Sequence, residues 1–165
     1  MTTDPDLILC DIIANGLGLD SQHVAAYAQN WRSPKDSGLY VVVEPGVQKT
    51  NSVVTIFDPA TQEENQSIAV VQEFIITISS KDRTAFQRKE EILMALASTY
   101  SVQQQELQGV KITRGTDPVD LSFIEGVSAL KRYEIRCNMF YLKTKTASVP
   151  YFDTFQSLEA LTQNG

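Results

Sequence analysis

Between Lys131 and Lys145 the sequence reads KRYEIRCNMFYLKTK, and this alternation constrains the fold more than any other stretch of the chain. Tyr133, Ile135, Cys137, Met139 and Tyr141 alternate with Arg132, Glu134, Arg136, Asn138 and Phe140, the period of a long β-strand with one apolar face. The strand carries Lys131, Arg132, Arg136, Lys143 and Lys145 against the single acid Glu134, within a chain whose formal charge is −6. A basic strand in an acidic protein, with no reaction chemistry beside it, points to an assembly surface before an active site. Its solvated-face reading is a row of cross-strand ion pairs of about 0.2–1 kcal/mol each. Its interface reading rests on Phe140 and Leu142, where the second face turns apolar, with Arg132, Arg136, Lys143 and Lys145 selecting the partner by charge.

The remaining elements predict an α+β fold of one domain over residues 1–165 with mobile extreme termini. Asp4-Pro5 is a helix start, and Leu7, Ile8, Ile12 and Ile13 form its stripe up to Asn15-Gly16. A second short helix is expected between Asp20 and Asn30. Leu39 to Val43 reads as a strand closed by a Glu44-Pro45-Gly46 turn, Ser52 to Phe57 as the next strand, and Ala60 to Gln66 as a hairpin loop. Ser67 to Ser79 is apolar on both faces in its second half, as a central strand requires. A long helix is expected from about Ser79 to Ser98, with Ala85, Phe86, Ile92, Leu93, Leu96 and Ala97 on its sheet-facing side. The sum is a mainly antiparallel β-sheet with a long helix packed on one face and a shorter N-terminal helix.

The search for chemistry yields no catalytic residue, metal site or cofactor. His23 stands alone without the cysteines or histidines of a zinc pattern, and Cys10 and Cys137 read as buried hydrophobes instead of nucleophiles or a disulfide. Glu63-Glu64 falls in the loop and Glu90-Glu91 on a helix surface, outside any paired-carboxylate motif. Asp117 and Asp120 lack calcium-loop spacing, and Gly16-Leu17-Gly18 lacks the rest of a phosphate-binding fingerprint. Trp31 is a candidate loop contact, to the core or to a partner, and Glu63 and Glu64 are further loop contacts. The N-terminus is acidic and no run approaches the ~20 apolar residues of a membrane span, so the expected place of synthesis is intracellular, with no membrane partner.

GLYVVVEPG at Gly38 to Gly46, FIITISSKDRTAFQRKEEILMALAS at Phe74 to Ser98, LKRYEIRCNMFYLKTKTA at Leu130 to Ala147 and YFDTF at Tyr151 to Phe155 follow one another in an order that resembles tail terminator and tail-completion proteins of tailed bacteriophages. The resemblance implies a structural subunit, not an enzyme, that forms a ring, commonly a hexamer, at the head-proximal end of the tail. Such a ring ends tail-tube polymerisation and offers a docking surface to the head connector. Its implied partners are further copies of itself, the tail-tube protein, the connector or neck protein, and genomic DNA that passes through an acidic lumen without sequence-specific binding. Its implied location is the virion tail or neck, after synthesis in the host cytoplasm. Another neck or baseplate subunit remains the alternative, and a small hydrolase or nuclease the more distant one.

Overall fold

The computed structural model describes residues 4–27, 38–125 and 128–149, with the backbone alone over 123–125 and 128–129. Three very long strands dominate it: β2 (Tyr40–Asp58), β3 (Glu63–Ser80) and β7 (Ser128–Ser148). Short strands β1 (Val24–Ala26), β4 (Val110–Ile112), β5 (Val119–Asp120) and β6 (Phe123–Glu125) flank them. The order across the sheet is β1-β2-β3-β7-β4, with β5 and β6 also pairing to β7. Among the described residues only β1 and β2 run parallel, so the sheet is mixed and mainly antiparallel. The fold is α+β.

Helices α1 (Pro5–Leu17), α2 (Thr84–Arg88), α3 (Glu91–Leu96) and α4 (Thr99–Gln108) cover one half of one sheet face. Ile8, Leu9, Ile12 and Ile13 of α1 meet Val41, Val43, Phe74, Ile76, Ile78, Ile135 and Met139 of the sheet, all buried. The odd-numbered row from Tyr133 to Tyr141 is core-facing throughout, because each of its residues pairs with a buried member of β3. Directly paired residues point to the same side of a sheet. That side is called inner below, and the other outer.

Four expectations need correction. The helix predicted over Ser79 to Ser98 is not long: it is broken into α2 and α3, while the N-terminal α1, at 13 residues, is the longest helix described. Ser98, at the expected end of that helix, adopts an extended backbone and its Oγ accepts from the Ser101 amide at 3.1 Å, so it caps a new helix, α4, over the glutamine-rich segment. At the break between α2 and α3, the Arg88 guanidinium donates to the Leu17 carbonyl at 2.7 Å and to Glu91 at 2.7 Å. Of the predicted helix face, Ala85, Ile92 and Leu96 are buried, but Phe86 and Ala97 are exposed.

Within Asp20 to Asn30 the chain forms β1 in place of a helix, docking beside Val41, Val42 and Val43. Glu44-Pro45-Gly46 is no turn; β2 runs straight through it. Beyond Val43 that strand lies at the sheet edge among the described residues, where a proline's missing N–H costs no ladder bond. Two register shifts, between Pro45 and Gln48 and between Thr50 and Ser52, absorb the irregularity as β-bulges. The buried Gln72 amide fills the first, donating to the Gly46 carbonyl at 2.9 Å and the Glu73 carbonyl at 3.0 Å. The expected Ala60 to Gln66 loop is shorter, because β3 already starts at Glu63.

Candidate assembly surface

At a rise of ~3.3 Å per residue the 19 residues of β2 extend about 60 Å, far more than the helical layer covers. The sheet therefore has two halves. In the basal half the inner face is core. In the distal half, residues 47–58 of β2, 63–69 of β3 and 142–148 of β7 form a three-stranded arm in which no side chain is buried. Its tip is the hairpin between Asp58 and Glu63, held by the Ala60 amide donating to Asp58 Oδ1 at 2.9 Å and by Gln62 at a positive φ of 55°. The Val149 amide ties the end of β7 to the Gln62 carbonyl at 3.0 Å.

The arm exposes apolar side chains on both faces. Val53 on the inner face is 68% exposed; Ile56 and Leu142 on the outer face are 63% and 57% exposed, and Phe140, at the arm's base, 42%. Phe140 pairs with Val71 and Leu142 with Ala69, and together these four line an apolar groove of about 300 Å³ to which Asn51 and Lys111 add polar groups. Isolated exposed apolar residues are ordinary, but a contiguous band on an outlying sheet marks a contact surface.

The six residues singled out on the basic strand separate by parity. Arg132, Arg136, Phe140 and Leu142 share the outer face, whereas Lys143 and Lys145 lie on the inner face, where Lys143 Nζ leans back to 5.8 Å from the Tyr141 ring centre. Arg136 is engaged within its own chain, bonded to Glu134 at 2.7 Å and near Glu73 at 3.7 Å, and these acids hold its guanidinium pKa above the ordinary value. Arg132 is half-buried. Glu63 and Glu64 sit at the arm tip, Glu63 between Asp58 and Ser148 and Glu64 between Phe57 and Ala147, with Gln66 Nε2 donating to the Glu64 carboxylate. Trp31 lies outside the described residues, as does the tail with Tyr151, Phe155, Leu158 and Leu161. Val53, Val54 and Ile56 were not singled out as contacts from sequence, although a β-branched run beside a polar loop is a signal that could have found them.

The titratable groups are used locally. Asp20 accepts from His23 Nδ1 at 2.6 Å, which lowers the Asp20 pKa. Asp82 is lowered by bonds from Thr84 and Asp120 by bonds from Ser122. Burial pushes the thiols of Cys10 and Cys137 up to about 12, with nearby acids adding to it, so both are protonated and unreactive at neutral pH. Among the described residues no three histidines, cysteines or acids gather as a metal site, and no helix is long and apolar enough to cross a membrane.

No protein-family model and no curated protein matches the sequence. Among solved structures, the chain is similar to the sheath/tube terminator of an extracellular contractile injection system, PVC, in its extended state, determined by cryo-EM. The match covers 100% of this chain and 67% of that one at 11% identity, with a TM-score of 0.42.

Proposed function

We propose that this chain is a non-catalytic structural subunit of a tail-type assembly, forming a closed ring of identical copies at the head-proximal end of a tail tube. The observation that carries the reading is the arm: a three-stranded extension of the sheet with apolar residues exposed on both faces. A ribbon of that kind buries too little to stabilise itself and gains its burial from neighbours. The tail-terminator role itself comes from the sequence resemblance. In that role one end of the ring matches the last tube ring and the other meets the connector or neck protein, so that further tube subunits find no complementary surface. The acidic balance suits a lumen that passes DNA without holding it.

The test is the native mass of the purified protein, alone and with candidate tail-tube protein. A ring of six 18.4 kDa chains has a mass of about 110 kDa, and it caps tube growth when added to polymerising tube protein. A chain that stays monomeric at high concentration and binds no tube component overturns the proposal.

A further inference from the structure

The arm has two open edges as well as two open faces. Its middle strand, β3, is paired on both sides along the whole arm. Among the described residues, β2 has no second neighbour beyond Val43, and β7 has none beyond Tyr141, where β4 ends. Each edge therefore presents a row of unpaired N–H and C=O groups. Both outer strands run antiparallel to β3, so they point the same way along the arm.

We infer that copies of this chain join edge to edge, with β7 residues 142–146 of one copy pairing in parallel with β2 residues 52–56 of the next. The inference rests on the ring-forming reading and specifies its seam. Three self-pairings exist, and chemistry separates them. Joining β7 to β7 brings Lys143 and Lys145 of one copy against the same lysines of the other, and like charges facing across strands repel. Joining β2 to β2 leaves every β7 edge open. Joining β2 to β7 satisfies both edges with a single repeated contact, sets the lysines against Val53 and Thr55, and is heterologous, the kind of contact that forms a ring when the rotation between successive copies closes. It also continues the outer apolar row of Phe140 and Leu142 onto Val54 and Ile56 of the next copy.

Engineered cysteines test the seam, because native Cys137 is buried and Cys10 is half-buried in the helical layer, both away from the arm. Thr144→Cys is combined in turn with Ser52→Cys, Val54→Cys and Ile56→Cys, all outer-face positions that are exposed in the single chain. Neighbouring strands lie about 4.8 Å apart, within disulfide reach. The expected result is that one double variant, on mild oxidation, forms a ladder of cross-linked species up to the ring size, while each single variant forms none. Dimers from Thr144→Cys alone, or from Val54→Cys alone, overturn the inference in favour of like-edge pairing. Rings that persist by native mass with no cross-link in any double variant overturn the seam and leave the ring standing; a monomeric native mass removes both. Hydrogen exchange on the unaltered chain is the second measurement. Amides of 52–56 and 142–146 are expected to gain protection together on assembly, and protection of one edge alone refutes the pairing.

Discussion

Gly16 gives the sharpest test of how the helical layer is built. It lies near the C-terminus of α1, where a Cβ would fall well inside van der Waals contact with Ala95 Cβ of α3 and 3.0 Å from Ala95 Cα. Neither opposing atom can rotate away, so the helices must separate. Overpacking of this kind costs typically 1–3 kcal/mol, and rigid neighbours favour the upper end. The Gly16→Ala change also removes backbone freedom from the unfolded chain, worth about 0.4–1 kcal/mol in the opposite direction. The net expectation is a loss of about 2 kcal/mol, or a Tm lower by about 4–8 °C in a chain of this size. Ala95→Gly alone loses a buried methyl and adds a helical glycine, together about 2 kcal/mol. If the two methyls collide, the Gly16→Ala penalty vanishes in the Ala95→Gly background, and the double variant is about 2 kcal/mol below the original instead of about 4. Urea denaturation followed by far-ultraviolet circular dichroism measures all four corners of this cycle. A neutral or stabilising Gly16→Ala, or simple additivity, would refute the close approach of α1 and α3.

Gln72→Leu leaves the Gly46 and Glu73 carbonyls without the amide that fills the bulge, and is expected to cost about 1–3 kcal/mol by denaturation and to speed amide exchange in residues 46–50. Ile135→Ala, at a fully buried site, should cost about 2–5 kcal/mol by the same assay. Cys10 and Cys137 should resist alkylation at pH 8 in the folded protein and react quickly in denaturant. Because their folded pKa values are raised, the unfolded chain loses these protons first. Their contribution to stability is therefore complete at neutral pH and is lost as pH rises from about 9 towards 12, which a pH series of melting temperatures checks. Reversal of Arg136 to Glu places three acids together on the outer face, at Glu73, Glu134 and position 136, and is expected to lower stability measurably before any effect on assembly.

Much of the sheet was legible because burial writes a period into the chain. β7 shows this best: its odd residues meet buried partners on β3, so selection of apolar side chains at every second position follows from the pleat. β3 was legible as a central strand for the same reason. β2 was not, because each of its two bulges inserts a residue and flips the parity, so that Val41 and Val43, then Gln48 and Thr50, then Val53 and Thr55 take the inner face in turn. Read locally, Pro45-Gly46 meant a turn; in three dimensions it meant an edge strand with a bulge. The end of the helix near Ser98 was legible, but its break between Arg88 and Glu91 was not, since no proline or glycine marks it in the sequence.

By itself, then, the sequence determined the fold class, the core-facing row of β7 and the apolar change at Phe140 and Leu142, all consequences of side-chain hydropathy repeating at the backbone's own period. Tertiary structure alone decided how far the helices reach along the sheet, and hence that its distal half stands out as an arm. It also decided that Phe86 and Ala97 of the expected helix face stay in solvent while Ile92 and Leu96 are buried. The physical reason is the same in both cases: which residues lose water depends on what packs across from them, and that partner lies far away in the chain.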